Sequence, residues 1–171
     1  MDAHARKKIV ELFEKHRAAP GKPYDDAHFL DFLLANPKSK GAVYSSFRGL
    51  WRFNAFVDDV QYEFAVCLSM KDRDANYPLA EFVSRVLELQ KSRRGSLRSL
   101  DNQAKAGAGW QVLLLADFGL LIAASLLRNS PLAIAAIIGI AVILNSWFFR
   151  FAWRARMYLA ALRTRIETAD E

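Results

Sequence analysis

An all-α membrane protein is the fold class this sequence predicts, with a cytoplasmic helical region followed by a two-span transmembrane helical hairpin. Three observations carry that expectation. Two apolar runs, residues 110–127 and 132–149, each hold 18 residues, with Asp117 the sole charge in the first and no charge in the second. Only Arg128-Asn129-Ser130-Pro131 separates them. Lys and Arg crowd the outer ends of the two runs and leave Arg128 alone at the turn.

The elements follow in chain order. Residues 2–17 read as a helix with a short stripe of Ile9, Val10, Leu12 and Phe13, and Asp2 is suited to cap it. Residues 18–24, AAPGKPY, break the pattern. Residues 25–35 read as a second helix, with Asp25 and Asp26 at its positive end, Phe29, Phe32 and Leu33 inside, and Asn36-Pro37 as its stop. Residues 39–70 form the longest polar–apolar pattern. Phe53, Phe56, Val57, Val60, Phe64 and Leu68 recur there at three- and four-residue steps, as a packing face requires. The polar stretch 71–77 reads as a loop. Pro78 then opens a helix with Leu79, Phe82, Val83, Val86 and Leu89 on one face. Its pattern runs on through Leu97 and Leu100 toward Lys105, with Gly95 as a weak point, and Ala106-Gly107-Ala108-Gly109 separates it from the first apolar run.

Each apolar run, at ~1.5 Å per residue, covers about 27 Å, close to the ~30 Å hydrocarbon core of a bilayer. Trp110 opens the first, and Trp147, Phe148 and Phe149 close the second, where an interfacial aromatic belt belongs. The division expected is therefore a cytoplasmic region at 1–105, a transmembrane hairpin at 106–149, and a basic amphipathic tail at 150–171. Lys91, Arg93, Arg94, Arg98 and Lys105 precede the spans, and Arg150, Arg154, Arg156, Arg163 and Arg165 follow them. That asymmetry places both termini in the cytoplasm of a multi-pass inner (plasma) membrane protein. The first 30 residues contain no unbroken apolar stretch of signal-peptide type, so the first span is expected to act as an uncleaved anchor. The alternative is a soluble bundle that buries the hydrophobic hairpin, as pore-forming colicin domains do. It needs a full jacket of amphipathic helices from the residues preceding the spans.

Composition excludes other classes. With 53% hydrophobic and 25% charged residues the chain is not a disordered tail protein. The single cysteine, Cys67, rules out a disulfide scaffold and a cysteine-based zinc site. A net charge of +6 suits an anionic lipid surface and does not call for nucleic acid. No phosphate loop, nucleophile elbow or HExxH is present, and His4, His16 and His28 lack metal spacing and read as surface residues, so no catalytic, cofactor or metal residues are assigned and no enzyme is expected. Asp25-Asp26 and Asp58-Asp59 read as a helix start and a solvated face. Arg93-Arg94-Gly95-Ser96 matches a basophilic phosphorylation pattern, but reads better as surface charge.

Asp117 breaks the local rule. It stands eighth in its span, and intramembrane acids face a bundle interior or water. Asn145 is the matching polar group of the second span, so the two are expected to meet or to serve a neighbouring subunit. Gly119 with Ala123, and Ala135 with Gly139, form small-xxx-small pairs suited to close helix packing. The juxtamembrane cations Lys91, Arg93, Arg94, Arg98, Lys105, Arg150, Arg154 and Arg156 are expected at anionic lipid headgroups. These features point to a homo-oligomer assembled through spans and cytoplasmic helices, with a pore or an ion or proton channel as its outcome, as in a defence effector. The alternative is an adaptor, immunity protein or accessory subunit whose cytoplasmic helices hold a protein partner. Both rest on architecture alone.

Overall fold

The computed structural model describes residues 3–34, 47–74, 77–106 and 110–169. It is helical, with no strand among the described residues: α1 (Ala3–His16), a 3-10 turn (Asp26–His28), α2 (Asp31–Leu34), α3 (Phe47–Glu63), α4 (Met70–Asp74), α5 (Leu79–Lys91), α6 (Arg93–Ala106) and two long apolar helices, α7 (Trp110–Leu126) and α8 (Pro131–Thr168). The expected cap at Asp2, the stop at Asn36-Pro37 and the joint at Gly107-Ala108-Gly109 lie outside the described residues. The chain forms two compact units, Met1–Asp101 with Leu162–Glu171, and Asn102–Ala161.

The first unit is built on four phenylalanines. Phe13 of α1, Phe29 before α2, Phe56 of α3 and Phe82 of α5 are fully buried or nearly so. Their rings meet mostly edge to face, Phe13–Phe29 at 5.5 Å, Phe29–Phe82 at 5.6 Å and Phe56–Phe82 at 5.8 Å between centroids. Such pairs add about 0.5–1.5 kcal/mol each beyond the area they bury. Ile9, Leu33, Val57, Val60, Leu79, Val83 and Val86 fill the space around them. The predicted stripes on α1, α3 and α5 are the faces that turn inward. From the far end of the chain Leu162 and Ile166 are buried in the same unit. There Arg93 donates to the Glu167 carbonyl at 2.6 Å and Arg163 stands 3.5 Å from Asp101.

Two glycines are required. Gly21 has φ of +76° and donates its N–H to Glu14 at 2.8 Å, closing the break after α1. Arg17 seals that break from beneath. It is buried, bonds to Glu14 and to the Lys22 carbonyl, and lies over the Phe13 and Tyr24 rings at 5.4 and 5.3 Å. Gly49 is buried where α3 crosses the end of α2, and a Cβ there would fall onto the Leu34 carbonyl group.

The expected helix over 25–35 is instead a 3-10 turn, capped by Asp25 accepting from Ala27 N–H at 3.0 Å, followed by the single turn of α2. The long helix predicted through Met70 ends at Glu63. Ala65 takes a φ of +51°, and the buried Gln61 side chain receives the Leu68 N–H at 2.9 Å. Phe64 and Leu68 are buried as the pattern required, but from irregular chain. The loop expected over 71–77 begins as α4. Ser69 and Asp72 cap it reciprocally: Asp72 N–H donates to Ser69 Oγ at 3.2 Å, and Ser69 N–H to the Asp72 carboxylate at 2.9 Å. The break near Gly95 falls instead at Ser92, whose N–H closes α5 on the Glu88 and Leu89 carbonyls.

Gly49→Ala should lower the urea midpoint of the detergent-solubilised protein by an amount worth on the order of 2 kcal/mol, because backbone and not a flexible side chain must move. A second expectation concerns acid. Burial pushes the Asp72 carboxyl up, but hydrogen bonds from Ser69 and Arg85 outweigh it and hold it below the usual carboxylate range. Its contribution is therefore complete above the ordinary carboxylate pKa of about 3.9 and is lost as pH falls through the lower folded value. Asp72→Asn should cost about 1–3 kcal/mol at neutral pH, and the gap to wild type should close in acid, read from urea titrations at the two pH values.

Candidate functional site

The apolar helices hold the strongest candidate. Neither apolar stretch is buried inside the protein. Phe118, Leu121 and Leu126 on α7, and Leu132, Ile143 and Trp147 on α8, are among the exposed large side chains. Half-buried positions mark one narrow seam on each helix. On α7 they are Leu113, Asp117, Leu120, Ala123 and Ala124; on α8 they are Ala133, Ile134, Ile137, Ala141, Asn145 and Phe148. Steps of three and four residues put each set on one helix face.

The two polar groups expected to meet do so on this seam. Asn145 Nδ2 donates to Asp117 Oδ1 at 2.9 Å and to the Ala141 carbonyl at 3.0 Å. Asp117 is thus the acceptor, an arrangement that either protonation state of the acid allows. Toward the helix ends the Trp110 and Phe148 rings meet edge to face at 5.1 Å.

The small residues divide. Ala123 lies on the seam, but Gly119, Ala135 and Gly139 are exposed, and a Cβ at Gly119 or Gly139 would meet nothing within 4 Å. Their faces turn away from the contact between α7 and α8.

The cations divide as well. Lys91, Arg94, Arg98, Lys105, Arg150, Arg154 and Arg156 are exposed, whereas Arg93 is half-buried and committed to the Glu167 carbonyl. Ser96 is fully buried and donates to the Leu89 carbonyl at 3.2 Å, so the phosphorylation pattern ends on an inaccessible hydroxyl. The tail expected at 150–171 as a separate helix continues α8 without a break to Thr168.

In the first unit a shallow pocket is lined by Ser69, Asp72, Tyr77, Ser84, Arg85 and Glu88. There Arg85 reaches Asp72 at 2.9 Å and Glu88 at 2.8 Å. His16, read from sequence as a surface residue, is 15% exposed and shares Asp59 with Lys15, each at 2.7 Å. Burial pushes the Asp59 carboxyl up, but hydrogen bonds from Lys15 and His16 outweigh it and leave it low, so this acid ties α1 to α3 and does not form a solvated face. Cys67 is buried and its thiol is pushed up to about 11, mainly by desolvation, which removes thiolate character at neutral pH. Among the described residues no cluster of His, Cys, Asp and Glu could hold a metal ion. Sequence reasoning missed Gln61 and the Ser69–Asp72 cap, although the S-x-x-D spacing of the latter was there to be found.

No protein-family model, curated protein or solved structure matches this chain.

Proposed function

We propose that this protein is a two-span membrane protein whose helical hairpin inserts α7 and the first half of α8 into an inner membrane, with both termini cytoplasmic, and that it acts by self-assembly and not by catalysis. One observation carries the reading: two apolar helices with no burial inside the chain, whose glycines, Gly119 and Gly139, face open space. A bilayer supplies the missing apolar environment, and close backbone approach at the small residues supplies the contact between copies. A soluble bundle with a buried hairpin would instead have to cover these faces. Asp117 and Asn145 then lie about 10 Å from the cytoplasmic end of the first span at ~1.5 Å per residue. Asn145 occupies one carboxylate oxygen, Oδ1. Proton or cation handling by an assembled pore is the activity this placement allows.

A specific feature favours a second reading, that of a membrane adaptor. Phe47, Leu50 and Trp51 open α3 at one-turn spacing and are 86%, 47% and 73% exposed. Such a patch at the start of a helix suits a protein partner. Oligomer mass in mild detergent separates the readings, since Gly119→Leu with Gly139→Leu should dissociate a span-mediated oligomer and leave an adaptor complex intact.

Topology is tested with cysteine. In a Cys67→Ala background, a cysteine at Asn129 should react with an impermeant thiol reagent from outside intact cells, and cysteines at Ala3 or Ala169 should not. The reverse pattern would overturn the orientation. Asp117→Asn keeps a polar partner for Asn145, so assembly should persist. If the pore handles protons or cations, liposome flux at equal oligomer content should fall on Asp117→Asn and be partly kept by Asp117→Glu. Equal flux, or none in either protein, would leave Asp117 as a helix–helix hydrogen bond of ~0.6 kcal/mol.

A further inference from the structure

We infer that the turn of α8 just beyond the apolar stretch is a docking site for the phosphate of an anionic phospholipid headgroup, a reading that rests on the membrane placement proposed above. Arg150 and Arg154 stand one helical turn apart and both are exposed. Neither makes an ion pair among the described residues, and α8 carries no Asp or Glu before Glu167 to compete for them. Two aromatic pairs flank this ridge. Phe149 and Trp153 stack at 6.2 Å with planes 26° apart, and Trp147 and Phe151 stack at 6.2 Å with planes 18° apart. At about 100° per residue the first pair lies on one side of the arginines and the second on the other. Phe149, Arg150, Trp153 and Arg154 line one shallow concavity.

The chemistry of the ridge selects its ligand. Guanidinium forks bind phosphate oxygens with two parallel hydrogen bonds, and two forks one turn apart can close on a single phosphate. Indole and phenyl rings settle at the level of glycerol and headgroup, where one side is apolar and the other wet. An acidic peptide would satisfy the arginines but leave four exposed aromatic rings in water. A phospholipid satisfies both, because its acyl chains run along the apolar stretch 132–149 that ends at this turn. The later arginines of α8 lack the arrangement: Arg156 stands two residues past Arg154, on another face of the helix, Arg163 is engaged with Asp101 within the first unit, and Arg165 lies over Tyr62 at 5.9 Å.

The test uses the full chain in vesicles of phosphatidylcholine containing a minor fraction of phosphatidylglycerol. Flotation first reports insertion for every variant. Native mass spectrometry then reports the phosphatidylglycerol retained by the protein relative to the bulk. Wild type should enrich it, and Arg150→Gln with Arg154→Gln should lower that enrichment by up to roughly thirtyfold, as two cations at about 1 kcal/mol each at an anionic surface predict. Arg128→Gln, in the turn between α7 and α8, should retain it. Trp153→Ala, which leaves all charges in place, should lose part of it. Undiminished enrichment in the double variant, or equal loss in Arg128→Gln, overturns the site while leaving the membrane reading standing. Wild-type protein that fails to float overturns the membrane reading itself.

Discussion

The constraint on which the rest of this structure depends is apolar surface that the chain does not cover. Each exposed Leu, Ile or Phe on α7 and α8 forfeits about 1.5–3 kcal/mol relative to burial. Val112, Leu114, Leu115, Phe118, Leu121 and Leu126 on α7 alone are 62% to 80% exposed. Their combined forfeit is as large as the whole net stability of an ordinary domain, about 5–15 kcal/mol. A helix of this kind is stable only with apolar surroundings, and within the chain α7 and the first half of α8 find them only along the narrow seam where they meet.

The first unit does not share in that debt, because it closes its own core. The four phenylalanines come from α1, the Phe29 turn, α3 and α5, so each amphipathic element contributes one ring to a common centre. Apart from the buried Arg17 and Asp72, charged residues hold the periphery. Asp59 joins α1 to α3, and Arg6 joins α1 to Asp26 at 2.7 Å, an exposed pair worth at most about 1 kcal/mol. Leu162 and Ile166 are buried in the same unit, outside the phenylalanine cluster, although the sequence of these last turns of α8 reads as a basic tail. A fragment ending at 105 would lack them.

What was legible in the sequence follows from which signals are periodic. Helical spacing of Ile9, Phe13, Phe56, Val60, Phe82 and Val86 placed those residues inside, and the structure buries every one. The two long apolar helices were legible from length and composition. Endings were not, because they depend on single side chains acting locally. Gln61 sits on the apolar stripe and looks like an interruption of it. Its carboxamide instead takes the Leu68 N–H and lets the chain leave the helix at Ala65. Ser69 and Asp72 look like loop residues until their spacing is read as a cap. At Gly95 the missing side chain suggested weakness, yet the break lies at Ser92, where φ of −106° and ψ of 69° end α5. The continuity of α8 was hidden by a change of composition. Past Phe149 the residues turn basic, but no proline or glycine intervenes, so nothing stops the helix at the point where its solvent preference changes.

The pairing of Asp117 with Asn145 gains its weight from the same constraint. In water the hydrogen bond at 2.9 Å would exchange freely with solvent and fix nothing. In hydrocarbon each unpaired polar group costs several kcal/mol, so sliding either helix by one residue would strand the Asp117 side chain and leave Asn145 only the Ala141 carbonyl of its own helix. Leu113, Leu120 and Ala124, like Ile134, Ile137 and Ala141, pack comparably well in neighbouring registers, since apolar contacts between helices are not directional. The acid and the amide are what single out one register. Once that register is set, Gly119 and Gly139 are held on outward faces, and a second copy approaching them meets backbone. In the assembly proposed above, the polar pair fixes the surface that the helices turn outward, without itself lying on it.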